Sequence, residues 1–239
     1  LSLVNSEKQE QDSLLKKIIG FKSSSLIAYT NDYTYWDEMA EFTRSGDTAW
    51  AHSNIDASLS TYGADYVWVF DSSKALKYFT TFPGIPLIDS NAVDVNMLME
   101  TSYDKRFNHF FIEAGGKIIE LSIYTIHYTS DPKRLSAPLG YYASGRLWSA
   151  EYIAGISELT STNLSFLSDS SNNTLPVTND DFLAKNVYNL YDSKGEVLAR
   201  LISIKEMTKL KASHTQFREQ LLVMNLIIIV ILLFSAFVL

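Results

Sequence analysis

Nineteen consecutive residues at the C-terminal end, Leu221 to Leu239 (LLVMNLIIIVILLFSAFVL), carry no charge. At ~1.5 Å per residue a helix of that length covers roughly 28 Å, about the hydrocarbon thickness of a bilayer. A helix packed in a soluble core keeps a polar face. This stretch has none, because its strongly polar residue, Asn225, lies near one end. A transmembrane helix over 221–239 is therefore expected. The chain stops inside that segment and opens at Leu1-Ser2-Leu3-Val4 without an initiator methionine. Those ends lead to the expectation of a fragment laid out as helix, domain, helix, with a second membrane helix upstream and the main domain extracytoplasmic.

The rest of the chain is globular in character. Across 239 residues, 46% are hydrophobic and 20% charged, which is ordinary for a folded domain. There is no cysteine, so disulfide frameworks, thiolate metal sites and cysteine nucleophiles are excluded. The net charge of −7, with no basic stripe, argues against nucleic acid as a partner.

Apolar periodicity gives the order of elements. From Asn5 to about Thr43 the spacing is three and four, with Leu14, Leu15, Ile18, Ile19, Leu26 and Ile27 on one side, which predicts one long helix. A second helix is predicted over Thr48 to Thr61, capped by Asp47. The period then drops to two. Strands are predicted over Asp65 to Asp71 and Leu76 to Thr81, and a helix over Asn91 to Met99 behind Asp89 or Ser90. A hairpin follows, His109 to Ala114 and Lys117 to Thr129, around Gly115-Gly116. Then come a strand over Leu139 to Trp148, a helix over Ala150 to Thr160 and a strand over Asn163 to Leu167. Asp169 to Asp181 reads as a polar loop. A last hairpin, Asn186 to Tyr191 and Val197 to Ile204, turns at Asp192-Ser-Lys-Gly195, and Glu206 to Gln220 continues helically toward the membrane. Hairpin connections predict an α+β fold with a mainly antiparallel sheet. The expected division is 1–45 for the N-terminal signalling helix and 46–204 for the sensor domain. A juxtamembrane helix at 205–220 and the membrane span at 221–239 complete it.

Several of these segments carry a resemblance. Asn31-Asp-Tyr-Thr-Tyr-Trp-Asp-Glu38 sits at the far end of the long helix. An Asn-bearing helix around Trp50 and Asn54 follows, then a strand ending at Asp71, and Gly140 to Arg146 forms a Gly-X-X-X-X-Gly-Arg stretch ahead of a helix. Together with the Asp192 to Gly195 hairpin, this resembles the fourth CHASE-type family, extracytoplasmic sensor domains associated with cyclases and histidine kinases. The resemblance runs from about Asn5 to Gln220. It implies a PAS-like or Cache-like sensor with an antiparallel sheet facing a long N-terminal helix, working as a homodimer. It departs at Asp71-Ser-Ser-Lys74, where the family usually has a glycine.

The candidate ligand-binding residues are Tyr33, Trp36, Asp37, Trp50, Asn54 and Arg146. Tyr33 and Asp37 are four apart and would share a helical face. The aromatics would wall a small pocket and the polar groups orient a small-molecule or peptide ligand. The competing reading makes Trp36 and Trp50 core, with Asp37 and Asn54 capping a break near Ser45-Gly46. Arg146 either clamps a ligand carboxylate or pairs with Asp37 or another buried acid. His52, His109, His127 and His214 are scattered, none at a helical metal spacing, and Ala-Ser144-Gly lacks the first glycine of a nucleophile elbow. No catalytic residue, metal or cofactor is expected in this chain. The leading expectation is the ligand-sensing domain of a transmembrane receptor of the histidine kinase or diguanylate cyclase kind. The alternative is a membrane-anchored surface binding or scaffolding protein without signalling output.

Overall fold

The structure is a computed structural model in which residues 2–95, 106–167 and 183–238 are described. A 32-residue helix, α1 (Ser2–Tyr33), runs along the molecule. Its buried residues are Gln11, Leu15, Ile19, Ser23, Leu26, Tyr29, Thr30 and Tyr33, steps of three and four that keep one stripe on the protein. Burying a leucine such as Leu15 or Leu26 completely contributes about 2 kcal/mol.

The predicted single helix to Thr43 is in fact broken. Residues Thr34 to Trp36 form a turn, and α2 (Asp37–Ser45) starts in a new direction. No proline or glycine causes the break. The Thr34 carbonyl, which would continue the helical ladder, accepts instead from the His127 backbone N–H at 3.2 Å. The Arg134 guanidinium seals the turn. It donates to Thr34 Oγ1 at 2.7 Å, to Asn31 Oδ1 at 3.2 Å and to the Thr125 carbonyl, and it lies 4.1 Å over the Tyr35 ring. Long-range hydrogen bonding overrides the local helical pattern here.

The helix expected over Thr48 to Thr61 is also subdivided, into α3 (Thr48–Asn54), a 3-10 turn (Asp56–Ser58) and α4 (Leu59–Tyr62). Asp47 caps α3 as anticipated, accepting from the N–H groups of Ala49 and Trp50. Asp89 accepts from Asn91 N at the start of a 3-10 turn over Ser90–Ala92. The helix expected from Asn91 does not begin there, and its part beyond Val95 lies outside the described residues, as does the loop expected over Asp169 to Asp181.

The strands form two antiparallel sheets. The first contains β1 (Tyr66–Asp71), β2 (Leu76–Thr81), β3 (Phe107–Ala114), β4 (Lys117–Ile126) and β5 (Gly140–Leu147), in the order β2-β1-β5-β4-β3. The second contains β6 (Asn163–Leu167), β7 (Leu183–Tyr191) and β8 (Val197–Glu206), in the order β6-β8-β7. Helix α5 (Ala150–Thr160), capped by Ser149, leads from one sheet to the other. The sequence order of hairpins predicted antiparallel pairing without revealing that it occurs in two places.

Strand β5 is buried along its whole length, and β1 is buried from Tyr66 to Phe70, because both faces of the first sheet are covered. On one face Trp68, Leu121 and Ile123 meet Ile85, Ile88, Val93 and Val95 from the segment after β2. On the other, Val67, Val69 and Tyr142 meet Leu26, Tyr29 and Tyr33 of α1 and residues of α2 to α4. Leu15 and Ile19, farther back on α1, belong to a third cluster with Ile156 of α5 and Leu190 and Leu201 of the second sheet. Helix α1 is thus shared by both sheets.

Helix α6 (Thr208–Val238) begins two residues after β8, with Met207 alone between them. Its stretch Lys211–Leu233 is long and apolar enough to cross a membrane, and none of it is covered by protein. Apolar side chains exposed on every side of a helix have lipid as their natural partner.

Two turns explain sequence features. Asp71 Oδ1 accepts from Ser73 N and Ala75 N, and Lys74 has φ 69°, the left-handed conformation that suits glycine. At the departure from the family pattern a lysine thus holds a conformation that suits glycine. Gly140 and Gly145 are required for close approach. A Cβ on Gly140 would collide with the Phe70 carbonyl oxygen and lie 2.7 Å from Thr43 Cγ2, and one on Gly145 would sit 3.1 Å from Ile119 Cγ2 and the Trp68 ring. Gly140→Ala is expected to lower stability by about 2 kcal/mol through overpacking. Lys74→Gly is expected to raise it by up to about 1 kcal/mol. Urea denaturation of both variants beside the parent chain checks the opposite signs.

Candidate functional site

The predicted residues separate into two places. Five of them gather where α1 ends, and Arg146 lies elsewhere.

Tyr33 is the last residue of α1 and is buried. Its hydroxyl donates to the Asn54 carbonyl at 2.9 Å, and its ring stacks on Trp36 with centroids 4.5 Å apart. Trp36 occupies the extended position just before α2, and 37% of it remains exposed. Trp50 of α3 stacks on Phe42 of α2 at 5.2 Å. Asn54, at the end of α3, donates from Nδ2 to the Trp50 carbonyl at 2.8 Å. Trp36, Trp50, Asn54 and Glu38 together line a groove of about 320 Å³. A second groove of about 360 Å³, lined by Asp37, Glu38, Glu41, Phe42, Ser45, Asp47, Trp50 and Tyr128, shares Glu38 and Trp50 with it.

Asp37 borders the second groove, but its oxygens are committed. Oδ1 accepts from Thr129 N at 2.8 Å and Oδ2 from Thr129 Oγ1 at 3.0 Å, tying α2 to the segment after β4. The expected capping of a break near Ser45-Gly46 falls to other groups. Gly46 takes the left-handed conformation at φ 67°, and Asp47 caps the following helix.

Beneath the groove the space between sheet and helices is filled by tyrosine. Tyr142 of β5 donates to the Tyr29 hydroxyl at 2.7 Å, and Tyr29 is 2.9 Å from Ser58 Oγ. Burial pushes the Tyr29 and Tyr142 hydroxyls up, so both stay neutral across physiological pH. Tyr29 also stacks on Tyr62 at 4.6 Å. The recess therefore lies on the outer side of this tyrosine layer, between helices.

Arg146 is buried at the middle of α1, where the two sheets meet. Its guanidinium donates to the carbonyls of Gly63 (2.9 Å), Lys22 (2.7 Å) and Tyr62 (3.2 Å) and to Ser25 Oγ (3.0 Å). Of the two structural roles foreseen for it, pairing with Asp37 does not occur. The buried acid is Glu120 of β4, whose Oε2 lies 3.7 Å from Arg146 Nη1. Glu120 has 0% exposure, and it accepts from His109 Nε2 at 2.9 Å and from the Trp148 indole N–H at 3.1 Å. Burial alone would raise this carboxyl. The hydrogen bonds of His109 and Ser23 and the charges of His109 and Arg146 outweigh it and hold Glu120 below the usual carboxylate value. Sequence reading missed Glu120, His109 and Trp148. The signal available was a lone acid inside the apolar run Ile118-Ile-Glu-Leu121, since such an acid needs a buried partner.

A depressed folded-state value stabilises above the unfolded glutamate pKa of about 4.3 and is lost as pH falls through the lower folded value. Thermal stability of the parent should accordingly fall below about pH 4.3. Glu120→Gln should lose about 3 kcal/mol at neutral pH by leaving Arg146 buried without its counter-charge, and should flatten the acid limb. Calorimetry of both proteins from neutral to acid pH tests this.

A larger recess of about 670 Å³ lies beside Arg146, bordered by Lys22, Ser60, Asp65, Ser149 and Tyr152 among others. Burial raises the Asp65 carboxyl there, opposed by its bond from Leu147 N and by the Arg146 charge. Among the described residues no group of three histidine or acidic side chains converges as a metal site would require.

Comparison with known proteins gives a family and a fold. The family model described as the CHASE4 domain matches residues 18–167. Two crystal structures of the periplasmic domain of Vibrio cholerae LuxQ are similar in fold. One has a TM-score of 0.58 at 11% identity, covering 83% of this chain and 98% of that one. The other has a TM-score of 0.51 at 10% identity, covering 83% and 99%. No curated protein sequence matches the chain significantly. The likeness bears out the expected mixture of antiparallel sheet and long N-terminal helix.

Proposed function

The chain belongs to the CHASE4 domain family, and from that premise we propose that it senses a ligand outside the cytoplasm and passes the event through α6 to the membrane. An extracytoplasmic sensor domain joined to one long apolar helix fits a membrane-anchored signalling protein. The observation that carries the reading is the position of the Trp36–Trp50 groove. It lies at the break that ends α1, and α1 packs against both sheets.

The groove combines apolar walls with a few fixed polar groups, as small-molecule sites do. Ligand would bind Trp36, Trp50 and Asn54 directly. Tyr33 would act from behind by supporting the Trp36 ring, and Asp37 by anchoring α2 to Thr129. Arg146 serves transmission in this scheme, because its donors already join α1, α4 and β5. Binding would favour one setting of α1 against the sheets and shift the population of two states. The second sheet would follow through Leu15 and Ile19, and α6 through β8. An output module such as a kinase or cyclase, a second membrane helix ahead of α1 and a homodimeric receptor belong to the same proposal.

The test is Trp36→Ala in the full-length receptor. Ligand-dependent output should fall at least about tenfold while the unfolding midpoint stays near that of the parent, because Trp36 is 37% exposed. Unfolding of the variant would make Trp36 core. A folded variant with unchanged output would remove the groove from the signal path; absence of any output from the parent receptor would favour a surface binding protein without signalling.

A further inference from the structure

We propose that the groove between Trp36 and Trp50 takes a small organic cation, its alkylammonium head lodged against the indoles with Glu38 as counter-charge; this rests on the assignment of that groove as the ligand site.

Four acids border the two connected grooves, and no basic side chain lines either one. Three of these acids have structural work. Asp37 holds Thr129, and Asp47 caps α3. Glu41 accepts from the Tyr128 hydroxyl at 2.8 Å and pairs with Arg44 at 3.4 Å, so Arg44 is turned to Glu41 and Tyr128. Glu38 is the fourth, and among the described residues its carboxylate makes no hydrogen bond or ion pair. It is also the residue that the two grooves share along with Trp50. Glu38 is exposed, so a solvated carboxylate without a protein partner borders a recess lined by two indoles.

That pairing selects a chemistry. The face of an indole attracts a cation more strongly than any other side-chain ring does, and the attraction grows as the site loses water. Trp36 is fixed by its stack on Tyr33 and Trp50 by its stack on Phe42, so the walls are set before a ligand arrives. Asn54 spends its Nδ2 on the Trp50 carbonyl, which leaves Oδ1 as an acceptor for a donor carried by the ligand, such as the choline hydroxyl. An anionic ligand would meet uncompensated repulsion from Glu38. A neutral apolar ligand would draw nothing from the exposed Glu38 carboxylate. A metal ion would need convergent oxygen or nitrogen ligands, and among the described residues none converge in that way.

Tryptophan fluorescence of the full chain in detergent, titrated with choline, tests the proposal. Sodium chloride at equal ionic strength and the uncharged carbon isostere of choline serve as controls. The expected result is saturable binding of choline, about tenfold weaker binding of the isostere, and no saturable response to sodium. Glu38→Gln should weaken choline binding about tenfold and leave the isostere unchanged. Equal binding of choline and the isostere, indifference to Glu38→Gln, or tighter binding of an organic anion would overturn the cation assignment and leave the groove as a ligand site. Failure of choline to bind, while Trp36→Ala still altered receptor output, would overturn it in the same way and direct attention to a protein partner. Failure to bind together with unchanged output in Trp36→Ala would remove the ligand groove itself.

Discussion

The contact on which the molecule's organisation depends is the buried pair of Glu120 and Arg146. It occurs where α1 passes from one sheet to the other. Arg146 reaches out of β5 to two residues of α1 and to the carbonyls that close α4, while Glu120 holds the indole of Trp148 just ahead of α5. A charged pair inside a protein recovers its desolvation cost only when its remaining donors and acceptors are matched. That matching fixes the spacing of four elements at one point. Apolar packing on either side, Leu26 and Tyr29 toward one sheet and Leu15 and Ile19 toward the other, is less particular about registration.

A similar division separates the packed interior from the groove. The tyrosine layer of Tyr29, Tyr33 and Tyr142 fills the interval between sheet and helices and is bonded to itself and to Ser58 and Asn54. The groove lies outside this layer, on short helices whose breaks leave Trp36 and Trp50 partly uncovered. The two readings of the aromatics open at the sequence level were pocket and core. Tyr33 is buried, whereas Trp36, stacked on Tyr33, and Trp50, stacked on Phe42, both line the recess.

What the sequence disclosed follows from the range of the interactions involved. The hairpin at Gly115-Gly116, the Asp47 cap and the strand over Asp65 to Asp71 are decided by neighbours a few residues away, and each occurs as expected. The end of α1 was not legible, because the Thr34 carbonyl is claimed by His127 and the turn is sealed by Arg134, both about a hundred residues distant in sequence. Division of the strands into two sheets was likewise hidden, since a hairpin pattern fixes pairing within itself and not the sheet it joins. Among the candidate site residues, Tyr33, Trp36 and Asp37 lie together with Trp50 and Asn54. Arg146 did not join them, and its partner Glu120 was identifiable only as an acid among apolar neighbours.

The join between β8 and α6 has a mechanical meaning. With Met207 alone between strand and helix, and β8 hydrogen-bonded on both sides as the middle strand of its sheet, the connection has almost no compliance. A flexible tether absorbs displacement and delivers thermal noise to whatever it pulls. Under the proposed function, a direct strand-to-helix junction would behave instead as a stiff coupling, passing a slight shear of the sheet into the helix. The gain of such a device would then be set by the helix it drives and the lipid around it, making the bilayer part of the instrument.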